Sequence, residues 1–223
     1  GGTDLPHFFD KYGGVVISAT IDKYCHASIK KRADSKMIIN SDLDEELILN
    51  SKDEIIYDGK MDLIKAIIKV MNPGFGFEIH IFNDLPPGRG LGSSSTLSVL
   101  LVGLISQIQG IKYDDYKIAE LAYKVEREEL KINGGWQDQY AAVTGGFNFM
   151  EFRGDKTLVY PLRLKEEVVN EFNRHLLLCY VGKSHFSGDL HKSQENSFKA
   201  NEEQVTNNLN ELKNIAVNIK ECL

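Results

Sequence analysis

One segment constrains the fold of this chain more than any other. An alternating apolar run enters a glycine- and serine-rich loop and leaves it as a long apolar-periodic helix. Phe77, Ile79 and Ile81 alternate with Glu78, His80 and Phe82, the period-2 pattern of a strand. Beyond the loop, Leu97, Leu100, Leu101, Leu104, Ile105 and Ile108 recur at helical spacing. Between them lies Pro86-Pro87-Gly88-Arg89-Gly90-Leu91-Gly92-Ser93-Ser94-Ser95-Thr96, and the spacing predicts a helix start near Gly92 or Ser93. The first N–H groups of such a helix lack intrahelical partners and point back at the loop. With the helix dipole they favour an anion there by ~0.3–1 kcal/mol, rising to ~2 kcal/mol in favourable geometry. Glycines let backbone approach a ligand closely. An ordinary strand-to-helix turn with a serine cap has the same ingredients, so the segment alone leaves both readings open.

Familiar loops of this type can be excluded by position. A P-loop needs a lysine before its Ser or Thr, and Gly92 stands there. A dinucleotide fingerprint needs G-x-G-x-x-G, whereas Gly88, Gly90 and Gly92 bring the third glycine one residue too early. The G-x-S-x-G nucleophile elbow is absent. What remains is Pro86 followed by Gly90-Leu91-Gly92-Ser93-Ser94, the string P-x-x-x-G-L-G-S-S. Metal chemistry of the zinc type is not indicated, because the six histidines form no H-E-x-x-H and the cysteines no C-x-x-C.

Composition narrows the partners. A net charge of −6 over 223 residues argues against a nucleic-acid binder, whose phosphate contacts need a basic surface. Lys30-Lys31-Arg32 is the single dense basic run and reads as a solvated strand end. Cys25, Cys179 and Cys222 are few, odd in number and far apart, which fits a reducing cytoplasm. No apolar stretch is long enough for a membrane span.

Elsewhere helix and strand patterns mix. Residues 14–29 read as one or two strands, and Ile38–Ile39 with Leu47–Leu49 as short strands of a hairpin. Residues 61–71 have a helical period closed by Asn72-Pro73-Gly74, and residues 114–130 read as one helix with Ile118, Leu121, Ala122 and Val125 on one face. Residues 147–152 alternate as a strand, and residues 176–181 form an apolar run expected to be a buried strand. Arg153-Gly154-Asp155 reads as a turn, which sets an expected boundary near 155 between residues 1–155 and 156–223. Val205, Leu209, Leu212, Ala216, Ile219 and Leu223 make a terminal helical stripe expected to pack on a domain core. The chain opens on Gly1-Gly2 without a methionine and closes inside that helix, so a fragment cut at both ends is expected.

A second cluster holds two carboxylates. Glu126 lies late on the predicted 114–130 helix, and Asp138 follows Gly134-Gly135 in the first turn of a short helix that Gly145-Gly146 ends. A helix N-terminus keeps a carboxylate ionised. Asp138 as a plain dipole-satisfying charge, and Glu126 as one acid on a solvated face, are the bland alternatives.

Taken with the loop string, these residues resemble the GHMP kinases (galactokinase, homoserine, mevalonate and phosphomevalonate kinases). The resemblance implies an α+β, two-domain fold: an N-terminal domain like ribosomal protein S5 domain 2, and a ferredoxin-like C-terminal domain, here incomplete. It implies that Pro87, Gly88, Arg89, Gly90, Leu91, Gly92, Ser93, Ser94 and Ser95 wrap the phosphates of ATP. It implies that Ser94 and Glu126 hold Mg2+, and that Asp138 faces the substrate hydroxyl as catalytic base. The Gly134–Tyr140 string is most similar to the sugar-1-kinase branch that includes D-glycero-D-manno-heptose 7-phosphate kinases, although Trp136 stands where that branch usually has Lys or Ala. In that branch a Gly-Gly-Thr-Asp string contributes to the sugar site, which here assigns Thr3 and Asp4 to substrate. Residues 176–187 are similar to the strand and turn opening the family's second domain, while the family's first strand and its late Gly-rich motif are missing.

The function so implied is ATP-dependent phosphorylation of a sugar or sugar phosphate, at the anomeric hydroxyl of a heptose 7-phosphate, in the cytoplasm. Fucokinase or another sugar-1-kinase specificity stays open, as does a non-catalytic sugar and ATP sensor on the same fold. A homodimer stays open too. For a substrate phosphate, Arg89, Lys30, Arg32 and Lys183 are unranked candidates.

Overall fold

The computed structural model describes residues 3–42, 45–85, 90–154, 156–177, 179 and 202–223. Its elements in chain order are α1 (Pro6–Tyr12), β1 (Gly14–Ala19), β2 (Cys25–Lys31), β3 (Lys36–Ser41), β4 (Glu45–Asn50), α2 (Asp62–Met71), β5 (Phe77–Asn83), α3 (Ser93–Ile108), α4 (Asp115–Tyr123), a π-helical turn (Lys124–Glu129), α5 (Gln137–Thr144), β6 (Phe147–Arg153), β7 (Lys156–Pro161), α6 (Glu166–His175) and α7 (Glu202–Cys222). They form two compact units that are not consecutive halves of the chain. One comprises Gly1–Ile21, Asn133–Gln137 and Thr144–Leu223, the other Asp22–Ile132 and Asp138–Val143.

The second unit contains the loop and its helix. Its four-stranded sheet runs β2-β5-β3-β4, antiparallel except for the parallel pair β3 and β5. Register explains the burial. Met37 and Ile39 lie opposite Phe77 and Ile79, and all four side chains are buried. The intervening positions His80 and Phe82 face outward, so the alternation seen in the sequence is one buried and one open sheet face. Onto the buried face pack Ile64, Ile67 and Ile68 of α2 and Leu101, Val102 and Ile105 of α3. Fully burying a side chain of this size stabilises by ~1.5–3 kcal/mol, so these positions carry the unit. Asn72, at φ 40°, ends α2 where the Asn-Pro-Gly string requires it.

The first unit is a three-stranded antiparallel sheet, β1-β6-β7, with α1 and α7 against it. Phe8 and Phe9 of α1 are buried, and the Phe9 ring lies 5.9 Å from that of Phe152 on β6. Ala216 of α7 packs with Val15 and Phe149, and Lys220 Nζ sits 4.1 Å over the Phe149 ring. The terminal helix therefore does pack on a core, but with a rotated stripe. Thr206 and Ala216 are buried, whereas Leu212, Ile219 and Leu223 are exposed.

The stretch 14–29 is two strands, one of the two expected readings, and they belong to different units. Two further expectations need correction. Residues 114–130 are not one α-helix: α4 stops at Tyr123, and the next six residues form the π-helical turn, closed by Leu130 N–H donating to Val125 O at 3.1 Å. Of the run 176–181, Leu176, Leu177 and Cys179 are exposed and outside any strand, and the rest lies outside the described residues.

Candidate active site

The α3 N-terminus starts as the sequence demands. Gly92 is the N-cap with φ 70°, a left-handed conformation that costs an L-residue ~1–2 kcal/mol, and as a glycine it supplies no capping side chain. Gly90 is likewise at φ 72°. Thr96 closes the first turn by donating its N–H to Gly92 O at 2.9 Å. The N–H groups of Ser93, Ser94 and Ser95 thus belong to the unpartnered first turn of a 16-residue helix. Pro87, Gly88 and Arg89 lie outside the described residues; Gly90 and Leu91 are exposed.

The π-helical turn brings Glu126 to this helix end. A π turn inserts one residue into the helical count and rotates the residues after it, a feature found often at functional sites. Glu126 is completely buried. Ser94 Oγ donates to its Oε2 at 3.2 Å, and the buried Gln139 donates from Nε2 to its Oε1 at 3.0 Å. The same Gln139 nitrogen donates to Ser95 Oγ at 3.1 Å. Arg127 Nη1 stands 3.7 Å from Glu126 Oε2, too far for a hydrogen bond but close enough to offset part of the buried charge. Ser94, Ser95, Glu126 and Gln139 therefore form one polar cluster from three elements.

Asp138 stands beside it. A Cβ placed on Gly92 would lie 3.6 Å from Asp138 Cγ and 3.9 Å from its Oδ1, so glycine at 92 keeps backbone and carboxylate in close approach. Asp138 is half-buried in the first turn of α5, where the helix dipole favours its charge.

One turn on from Glu126, Glu129 is tied down differently. It accepts from Lys69 Nζ at 2.5 Å and from Tyr57 Oη at 2.7 Å. The Lys69 ammonium, then the Tyr57 hydroxyl, hold its carboxyl below the usual range. Burial, followed by the Glu129 carboxylate, pushes the Tyr57 phenol up.

In the other unit, Thr3 and Asp4 are both buried. The Thr3 hydroxyl accepts Val15 N–H at 2.9 Å and donates to Val15 O, so it fastens the chain to β1. Asp4 Oδ2 accepts Gln137 N–H at 2.9 Å, and a Cβ on Gly135 would overlap that oxygen. Only glycine fits at 135. Asp4 Oδ1 is buried with no hydrogen-bond partner among the described residues. An unpaired buried acceptor of this kind costs ~1–3 kcal/mol and suits a ligand hydroxyl.

Magnesium takes oxygen donors, uses few from protein and keeps several waters. Ser94 Oγ and Glu126 Oε2 are such a pair, and among the described residues no group of three or more His, Cys, Asp or Glu forms a rival site. Gln139 Oε1 is buried and lacks a partner among the described residues, an acceptor that fits a metal-bound water. The donor set fits the ion.

Sequence reasoning placed Ser94, Glu126 and Asp138 but gave Gln139 and Arg127 no role. A weak signal existed for Glu126. It falls four residues after Ala122 and eight after Ile118, on the apolar stripe rather than off it.

A family profile, GHMP kinases N terminal domain, matches residues 62–146, which contain this cluster. The D-glycero-alpha-D-manno-heptose 7-phosphate kinase of Campylobacter jejuni is 37% identical, over all of this chain and 67% of its own length. A galactokinase of Streptococcus mutans is 28% identical over 72% of this chain, which spans 44% of that enzyme. Among solved structures, a D-glycero-D-manno-heptose 1-phosphate kinase from Bacteroides thetaiotaomicron superimposes with a TM-score of 0.71 at 36% identity, covering 77% of this chain and 58% of that one.

Proposed function

Because this chain belongs to the GHMP kinases, we propose that the full-length protein transfers the γ-phosphoryl group of ATP to a sugar hydroxyl, the anomeric hydroxyl of D-glycero-D-manno-heptose 7-phosphate. The observation that supports this best is the Ser94–Glu126–Gln139 cluster at the α3 N-terminus, with Asp138 beside Gly92. The loop 87–95 takes the phosphates of ATP, its backbone N–H groups doing what a P-loop lysine does elsewhere. Ser94 and Glu126 hold magnesium, which when bound neutralises charge on the β and γ phosphates.

Phosphoryl transfer passes through a loose transition state, so positioning outweighs nucleophile strength. Asp138 orients the sugar hydroxyl. As its oxygen bonds to the γ-phosphorus and the bond to ADP breaks, the hydroxyl proton passes to the Asp138 carboxylate. An aspartate of ordinary pKa near ~3.9 is a weak base, but it needs to accept that proton only late. Asp4, through the Oδ1 that has no partner among the described residues, accepts a hydrogen bond from a sugar hydroxyl, and Thr3 holds Asp4 in place against β1. Every one of these residues precedes 155, in keeping with a nucleotide-binding part over 1–155 and the start of the family's second domain over 156–223.

No helix among the described residues is long and apolar enough to cross a membrane. Dependence on ATP and three free cysteines agree with work in the cytoplasm. The test is ATP consumption by the full-length protein with heptose 7-phosphate, fucose, galactose and mannose. Turnover greatest with the heptose phosphate supports the proposal. Turnover with none of them, despite ATP binding, contradicts it.

A further inference from the structure

Gln139 is a fully buried amide whose two N–H bonds are both spent inside the cluster, one on Ser95 Oγ and one on Glu126 Oε1. The orientation is fixed by chemistry, since the carboxylate accepts and only the NH2 end can donate to it. Glu126 meanwhile sits in a π-helical turn, whose backbone alone is a poor guarantee of side-chain aim. Its Oε1 is held by the amide, while its Oε2 faces the exposed Ser94. Gln139 also directly follows Asp138 on α5, so its two anchors fix the first turn that carries the base.

We infer that Gln139 is a positioning residue for the metal-binding carboxylate. By occupying Oε1 it leaves Oε2 of Glu126 for the cation and sets the protein's magnesium affinity. It acts through Glu126 and, through the Ser95 tie, keeps α3 and α5 in register. This rests on the metal-dependent kinase reading above. Arg127 already stands 3.7 Å from Oε2 without a hydrogen bond to it; a second cation in place of Gln139 would compete with magnesium for the carboxylate, and an apolar side chain would leave Oε1 buried without a partner. Outer-shell partners of metal ligands typically matter by ~10–100-fold in metal affinity.

The test uses full-length protein and four forms: wild type, Gln139→Met, Glu126→Gln and the double variant. Two quantities are measured for each. One is the Mg2+ concentration giving half-maximal ATP turnover; the other is Mn2+ binding to the ATP complex, followed by the EPR signal of the free ion. Gln139→Met is expected to weaken both by about 10–100-fold, with metal-free ADP binding unchanged. In the Glu126→Gln background, Gln139→Met is expected to add no further shift, because the residue it acts through is gone. An unchanged metal dependence in Gln139→Met, or an equal shift in both backgrounds, overturns the inference. If Gln139→Met fails to fold, Gln139→Asn takes its place: its amide is one methylene too short to reach Glu126 Oε1, so weaker Mn2+ binding is expected and unchanged binding overturns the inference. Wild-type protein that turns over without any divalent ion overturns the metal reading itself, and is recognised before any variant is made.

Discussion

Glu126 and Glu129 lie three residues apart on the same π-helical turn and live in opposite electrostatic settings. Glu129 is partly exposed and answered by a cation, with Lys69 at 2.5 Å and Tyr57 at 2.7 Å. Glu126 is buried, and among the described residues its carboxylate accepts hydrogen bonds from the neutral donors Ser94 and Gln139, with Arg127 at 3.7 Å as its nearest cation. Burying a carboxylate is costly unless it is paired. Glu129 fastens the turn to α2, whereas the proposed function gives Glu126 to a metal ion.

The largest effect expected in this part of the molecule belongs to Asp138, which supplies the yardstick for the pair. Asp138→Asn should lower kcat by about 10²–10⁴-fold while ATP binding persists, as measured by steady-state rates and calorimetry. Glu126→Gln should come next, raising the Mg2+ requirement by about 100-fold or more, beyond what loss of an outer-shell partner gives. Glu129→Gln should leave the Mg2+ requirement unchanged and instead cost about 1–2 kcal/mol of stability in denaturant titrations. If the two glutamate variants behaved alike, the contrast would collapse.

The smallest effect is on pH dependence. A carboxyl held lower in the folded than in the unfolded chain adds stability above its ordinary pKa and loses it as pH falls toward the folded value. Lys69 and Tyr57 hold Glu129 down, Lys65 first among several groups holds Asp58 down, and Arg32 first among several holds Asp34 at about 2. Tm should therefore stay level from about pH 7 to about 5 and fall below about 4. Thermal scans of Glu129→Gln should show a shallower acid limb.

Much of this was legible in the sequence for local reasons. The β5 alternation, the glycine at 92 and the periodicity of α2 and α3 each follow from a short-range rule, so β5, the helix start and both helices could be placed. The π-helical turn could not, because the apolar spacing of Ile118, Ala122 and Val125 suits an α-helix equally well, and the added residue has no period of its own. Gln139 was hidden because α5 has only eight residues, too few to show which side is buried. Nor could local pattern reveal that 14–29 passes from one unit into the other. The GHMP resemblance supplied the roles of Ser94, Glu126 and Asp138, and the structure brings Ser94 and Glu126 within hydrogen-bond distance.

The contrast between the two carboxylates is tested most directly by Mn2+ binding to the ATP complex of wild type, Glu126→Gln and Glu129→Gln, read by EPR on full-length protein. Glu126→Gln should lose tight Mn2+ binding while Glu129→Gln keeps the wild-type affinity. Equal affinity in all three would contradict the assignment of Glu126 to the metal.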